Sequence, residues 1–125
     1  MTLKEGYDLI GADYEGLVER VESEERAERF ALKFLKDKSC ERLIECIENE
    51  DYEEAFRAAH SIKGISLNLG FTQLYNISSL LTEELRDGKK LTNRLNLEKT
   101  TEEYNRIREM LINFQKQKIT DILSN

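Results

Sequence analysis

The chain contains no proline, a single histidine, two cysteines and six glycines in 125 residues. The missing prolines favour helices, because a sheet protein of this size ordinarily punctuates its turns with proline as well as glycine. Long apolar runs are missing too, which excludes a transmembrane helix. Basic charge is in short supply: 19 Lys and Arg against 25 Asp and Glu give a formal net charge of -6. Nucleic-acid phosphates demand a basic face, so that class of partner is excluded. The opening MTLKEGYDLIGADYEG puts acids where a secretion signal needs a basic stretch and then an apolar one, so a cytoplasmic protein is expected. Cys40 and Cys46 have the spacing of neither a redox pair nor a zinc site, and one histidine cannot complete a metal shell. They read as small apolar-leaning residues in a reducing compartment. No glycine-rich phosphate loop is present to hold ATP.

At 39% hydrophobic and 35% charged, the chain can bury a core beneath a well-solvated surface. Its length fits one domain over residues 1–125. Apolar residues recur at helical spacing. Leu3, Tyr7, Ile10, Leu17 and Val21 suggest one or two short helices over residues 1–21. Ala27, Phe30, Ala31, Phe34 and Leu35 form the next stripe, with Ser23 as its N-cap. Cys40, Leu43, Ile44 and Ile47 follow; Ser39 either caps this stretch or lies within a helix continuous with the preceding one. Asp51 and Glu54 resemble a capping box opening EEAFRAAHSIKGISLNL, which Gly70 should stop. Thr72 is placed to cap a segment striped by Leu74, Ile77, Leu81 and Leu85 and closed by Gly88. Leu97, Tyr104, Ile107, Leu111 and Phe114 mark the last helix, with fraying expected from Ile119 to Asn125. Short connections make successive helices antiparallel, so the fold class is all-α: an up-down four-helix bundle with a short N-terminal helical addition. The polar faces opposite the stripes offer no second apolar seam, which predicts a monomer.

Catalytic arrangements are missing around the lone histidine. No carboxylate lies three or four residues from His60 to orient its ring, and the many acids read as solvated charge. At about 100° per residue, Ala55, Ala59, Ile62, Ser66 and Leu69 share one face, which should pack inward. His60 falls outside that stripe and leans to solvent. Arg57 and Lys63 flank it at intervals of three, placed to stabilise an added phosphoryl group. Gly64, opposite the core stripe, weakens the helix by about 1 kcal/mol relative to alanine, which close approach of another molecule beside His60 would explain.

The string AHSIKGISLNLG resembles the signature of the histidine-containing phosphotransfer (HPt) family, through Ala59, His60, Lys63, Gly64, Ser66, Leu69 and Gly70. NEDYEEAFRAAH upstream and the helix ending in LRDGKK downstream are similar to the family as well, so the resemblance runs over roughly residues 13–88. It implies a phosphocarrier without a kinase or nucleotide site of its own. His60 would accept phosphoryl, through Nε2, from a receiver-domain aspartate and pass it to another or back. Lys63 would neutralise the group, Gly64 would admit the receiver's active-site edge, and Gly70 would end the helix. Partners would be response-regulator receiver domains or a sensor histidine kinase, with Mg²⁺ supplied by the receiver and no cofactor of the chain's own. Phe56 and Leu67 are the candidates for an apolar docking patch.

Two departures stand out. Ile65 occupies a position where many members carry a small polar residue, and the family's histidine-orienting polar residue on the next helix has only Thr82, or less well Ser78, to match it. Two rival readings share the resemblance. One is an HPt-like scaffold that binds a receiver or kinase without carrying phosphate. The other is the phosphoacceptor domain of a chemotaxis-type kinase; the initial Met and the lack of a trailing linker favour a free-standing carrier.

Overall fold

The computed structural model describes residues 1–124. Seven α-helices follow one another: α1 (Leu3–Leu9), α2 (Tyr14–Val21), α3 (Glu24–Lys33), α4 (Ser39–Glu48), α5 (Tyr52–Leu69), α6 (Thr72–Glu84) and α7 (Leu95–Ser124). Single 3₁₀ turns at Phe34–Lys36 and Arg86–Gly88 punctuate them, and no strand occurs among the described residues. Helices α4, α5 and α6 each pack on the next, and α3 with its following turn lies against α7. The result is the expected all-α bundle, with α1 and α2 added at one end.

Local chemistry explains most helix starts, in several places with a different residue from the one anticipated. Ser23 caps α3 as predicted, its Oγ accepting from the Arg26 amide at 3.0 Å. Ser39 does not cap α4. It is the first residue of the helix, Lys38 stands at the cap position without a side-chain bond, and the Ser39 amide and hydroxyl both donate to the Asp37 carboxylate, at 3.1 and 2.9 Å. The Asp51 carboxylate accepts from the Glu54 amide at 3.3 Å, but the capping box is only half made. The Asp51 amide donates instead to the Cys46 carbonyl, and the Glu54 carboxylate pairs with Arg57. Thr72 is the first residue of α6, not its cap; Phe71 holds that position through its backbone alone. The fraying expected beyond Ile119 is not seen. Helix α7 continues to Ser124 with exposed side chains, supported by Gln117 on Asp121 at 2.9 Å, while Asn125 lies outside the described residues.

The predicted stripes supply most of the core. Ala27, Ala31 and Phe34 are buried, whereas Phe30 is 41% exposed. All five stripe residues of α5 are buried, joined by Ala58. These small side chains let α5 lie between α4 and α6. At the end where α5 stops, five rings run in sequence through Tyr14, Tyr7, Phe71, Phe34 and Tyr104, with neighbouring centroids 4.7 to 5.8 Å apart. This aromatic chain ties α1 and α2 to the α5–α6 turn, the 3₁₀ turn after α3, and α7. The Tyr104 hydroxyl donates to the Asp37 carboxylate at 2.5 Å, and burial together with that carboxylate pushes its pKa up. Cys40 and Cys46 are both free thiols, and burial raises the pKa of each.

Gly70 ends α5 in the left-handed conformation (φ 77°, ψ 19°) that glycine adopts without penalty. A Cβ there would also meet the Asp13 carbonyl oxygen at 2.4 Å. Gly70→Ala is therefore expected to destabilise the fold by about 1–3 kcal/mol, read as a lower urea midpoint at unchanged slope.

Candidate functional site

Helix α5 carries the site because its two faces differ so sharply. Ala55, Ala58, Ala59, Ile62, Ser66 and Leu69 bury one face, while Arg57, His60, Gly64 and Leu67 are exposed on the other. The helix end is held firmly. The Tyr7 hydroxyl donates to the Leu69 carbonyl at 2.8 Å, Arg20 Nε to the Asn68 carbonyl at 3.0 Å, and the Asp13 amide to the Gly70 carbonyl at 2.8 Å. The last carbonyls of a helix lack intrahelical partners, and here the N-terminal segment supplies them.

The His60 ring lies beside Phe56, their centroids 6.0 Å apart. The three cations around it differ in availability. Arg57 is paired with Glu54, and Arg86, from the turn after α6, is paired with Glu83. Lys63 has no carboxylate within ion-pairing distance among the described residues; its Nζ lies 5.9 Å from the Tyr75 ring centroid. One turn beyond His60, Lys63 is therefore the cation most free to meet an incoming anion.

Gly64 is exposed, and a Cβ built on it meets nothing within 4 Å. Packing within the chain does not require this glycine. Ser66 lies in the core, away from His60, with its hydroxyl on the Ile62 carbonyl at 2.6 Å, so its part is to let neighbouring helices approach. Leu67 is 56% exposed and stands two turns beyond His60 on the same face. Phe56 is half-buried against the core. Ile65 is half-buried beside Phe30, Phe34 and Leu69, so its apolar character serves packing at the α3–α5 groove.

Neither candidate for orienting the imidazole performs that task. Thr82 and Ser78 are buried and donate to carbonyls of their own helix, of Ser78 and Leu74 respectively, each at 2.6 Å. Among the described residues the His60 ring makes no hydrogen bond. Sequence reading missed Arg86. With Phe56, Arg57, His60 and Ser61 it lines an open cleft of about 340 Å³. The antiparallel α5–α6 pair returns the end of α6 to the middle of α5, and a basic residue after the α6 stripe was the only available signal.

Glu83 accepts two bonds from Arg86, Nε to Oε2 at 2.8 Å and Nη2 to Oε1 at 2.6 Å, and this contact lowers its pKa from the ordinary 4.5. A depressed folded value means that the pair contributes above the unfolded glutamate pKa and is lost as pH falls through the folded one. By carboxylate NMR, Glu83 is expected to titrate below 4.5 and to move back towards that value in Arg86→Gln. Gly64→Ala is expected to stabilise the isolated protein by about 0.5–1 kcal/mol, because helix propensity rises with no clash to offset it. Urea denaturation measures that change.

The family model for the Hpt domain matches residues 19–117, well over half of the chain. No curated protein and no solved structure matches it significantly. Hpt domains serve histidine phosphotransfer in two-component signalling; they interact with receiver domains and kinases, as carriers rather than enzymes. No described helix is long and apolar enough to cross a membrane. An exposed lone imidazole on a braced helix, with Lys63 and Gly64 one turn on, and a match spanning α3 to α6 and most of α7 agree, and the chain belongs to the Hpt domain family.

Proposed function

We propose that this chain carries a phosphoryl group on His60 between receiver-domain aspartates of a phosphorelay, acting as a monomer. The observation that carries this reading is an exposed imidazole followed one turn later by a lysine with no ion pair among the described residues and by a glycine with open space above it.

Phosphoryl transfer through a loose, in-line transition state requires positioning and charge neutralisation more than covalent chemistry from the protein. The neutral His60 ring attacks phosphorus through the Nε2 lone pair. The receiver's acyl–oxygen–phosphorus bond breaks and its aspartate leaves as a carboxylate. Charge balances without a proton transfer: a neutral ring and a dianionic phosphoryl ester become a phosphoimidazolium of net charge −1 and a carboxylate of −1. Lys63 neutralises the phosphoryl oxygens, and the gap over Gly64 admits the receiver's active-site edge. The receiver brings Mg²⁺ and its own cation. Leu67, exposed on the His60 face, and the free edge of Phe56 supply apolar docking area.

The test is transfer from radiolabelled phospho-receivers. Acid-labile, alkali-stable label on the wild type, lost entirely in a folded His60→Gln variant, is the expected result. A His60→Gln protein that still binds receivers shows that binding and carrying are separate. No label on the wild type from any receiver of the organism overturns the carrier reading in favour of a scaffold. Lys63→Ala should still accept label but about tenfold or more slowly. Gly64→Ala, though more stable alone, should also transfer more slowly.

A further inference from the structure

Arg86 reaches the site from a different element than the α5 motif. It follows α6, and its guanidinium carbon lies over the Phe56 ring, 5.3 Å from the centroid. The same ring is the neighbour of His60, and the three side chains border one cleft with Arg57 and Ser61. Lys63 stands one turn ahead of His60 along α5, whereas Phe56 and the guanidinium above it stand one turn behind. A phosphoryl group on the imidazole would thus be bracketed along the helix axis by a cation from α5 and one from the turn after α6.

Arg86 is at present occupied by Glu83, through Nε and Nη2. A guanidinium has five N–H donors, so the pair leaves three of them for another acceptor. Both side chains of the pair are about half exposed, at 48% and 58%. Surface pairs of this kind are weak and easily exchanged. A phosphoryl group carries close to two negative charges and three strong acceptor oxygens, against one charge on a carboxylate. Bidentate guanidinium–phosphoryl contact is also the stronger geometry. The Phe56 face offers a surface along which the planar guanidinium can slide without losing its stacking partner.

We infer that Arg86 is the second phosphoryl-binding cation of this site, held in reserve by Glu83 and drawn across Phe56 to the phosphoryl group when His60 is loaded. This rests on His60 being the phosphoacceptor. Glu83 is then a positioning residue that sets how readily Arg86 is released.

The test uses the full chain and a chemical donor, so that it stands apart from any receiver. Potassium phosphoramidate loads the imidazole: its N–P bond breaks, ammonia leaves, and a new N–P bond forms on His60. The level of phosphohistidine at fixed phosphoramidate and ammonium, read by phosphorus NMR, should fall about three- to tenfold in Arg86→Gln. Arg86→Lys should recover a substantial part of it. Glu83→Gln, which removes the competing carboxylate, should raise it about twofold or more. Arg42→Gln, a remote exposed control on α4, should leave it unchanged. The Arg86 Nε–H signal should shift on loading of the wild type, a response that a purely structural arginine would not give. Loading of Arg86→Gln at the wild-type level, or an Arg86 signal that stays still, overturns the inference. A chain that loads from phosphoramidate with this Arg86 dependence but takes no label from any phospho-receiver keeps the inference and loses the carrier reading.

Discussion

Helix α5 must stop at one residue, and the left-handed turn at Gly70 decides where. Beyond it the backbone turns back into α6. The carbonyls left without partners at the helix end are taken up by Tyr7, Asp13 and Arg20, all from α1, α2 and the turn between them. Such groups, if buried unpaired, would destabilise the helix end. Satisfied from α1, α2 and the turn between them, these groups anchor the end of α5 ten residues beyond His60. The family match begins at residue 19, so α1 and most of α2 lie outside it. Their contribution to the site is nonetheless direct, because they clamp the helix that carries it.

The same fixing explains why the interior of α5 is built from small side chains. A helix with α4 on one side and α6 on the other must let both approach closely, and Ala55, Ala58, Ala59 and Ser66 permit that. Bulk returns at Ile62 and Leu69, where the bundle has room for it. The opposite face is free of packing duty. It carries an imidazole, a glycine and an exposed leucine that a core could not accommodate together. Burial on one face and bareness on the other are two aspects of one constraint.

Periodicity made the helices and the α5 faces legible in the sequence, since one buried stripe per helix repeats every three or four residues. Gly70 was legible because few residues other than glycine tolerate its backbone angles. The caps were less so. Ser39 and Thr72 have cap chemistry, but Asp37 offers a stronger acceptor two residues before Ser39, and Phe71 enters α6 already buried among rings. Competition between neighbouring groups of similar chemistry is settled by tertiary position, which local spacing does not encode. The orienting role anticipated for Thr82 and Ser78 failed similarly, because a hydroxyl inside a helix finds its own i−4 carbonyl first. Arg86 was invisible for a further reason: its nearness to His60 exists only through the antiparallel return of α6.

The His60 imidazole is exposed and makes no hydrogen bond among the described residues. Its distinction as a proposed acceptor must come from what can reach it and from the charge beside it. In the proposed transfer, Lys63 would supply the charge for the incoming group and Gly64 the room for its donor. Glycine weakens a helix, and a glycine required by internal packing would show a neighbour pressed against the missing Cβ. Gly70 shows that, with the Asp13 carbonyl oxygen at 2.4 Å; Gly64 shows open space. A residue that loosens the helix at an exposed position beside the imidazole, without relieving any contact inside the chain, fits the proposal of a surface that arrives from outside. On the proposed reading this chain is half of a reaction centre, and the open space over Gly64 is where the other half would fit.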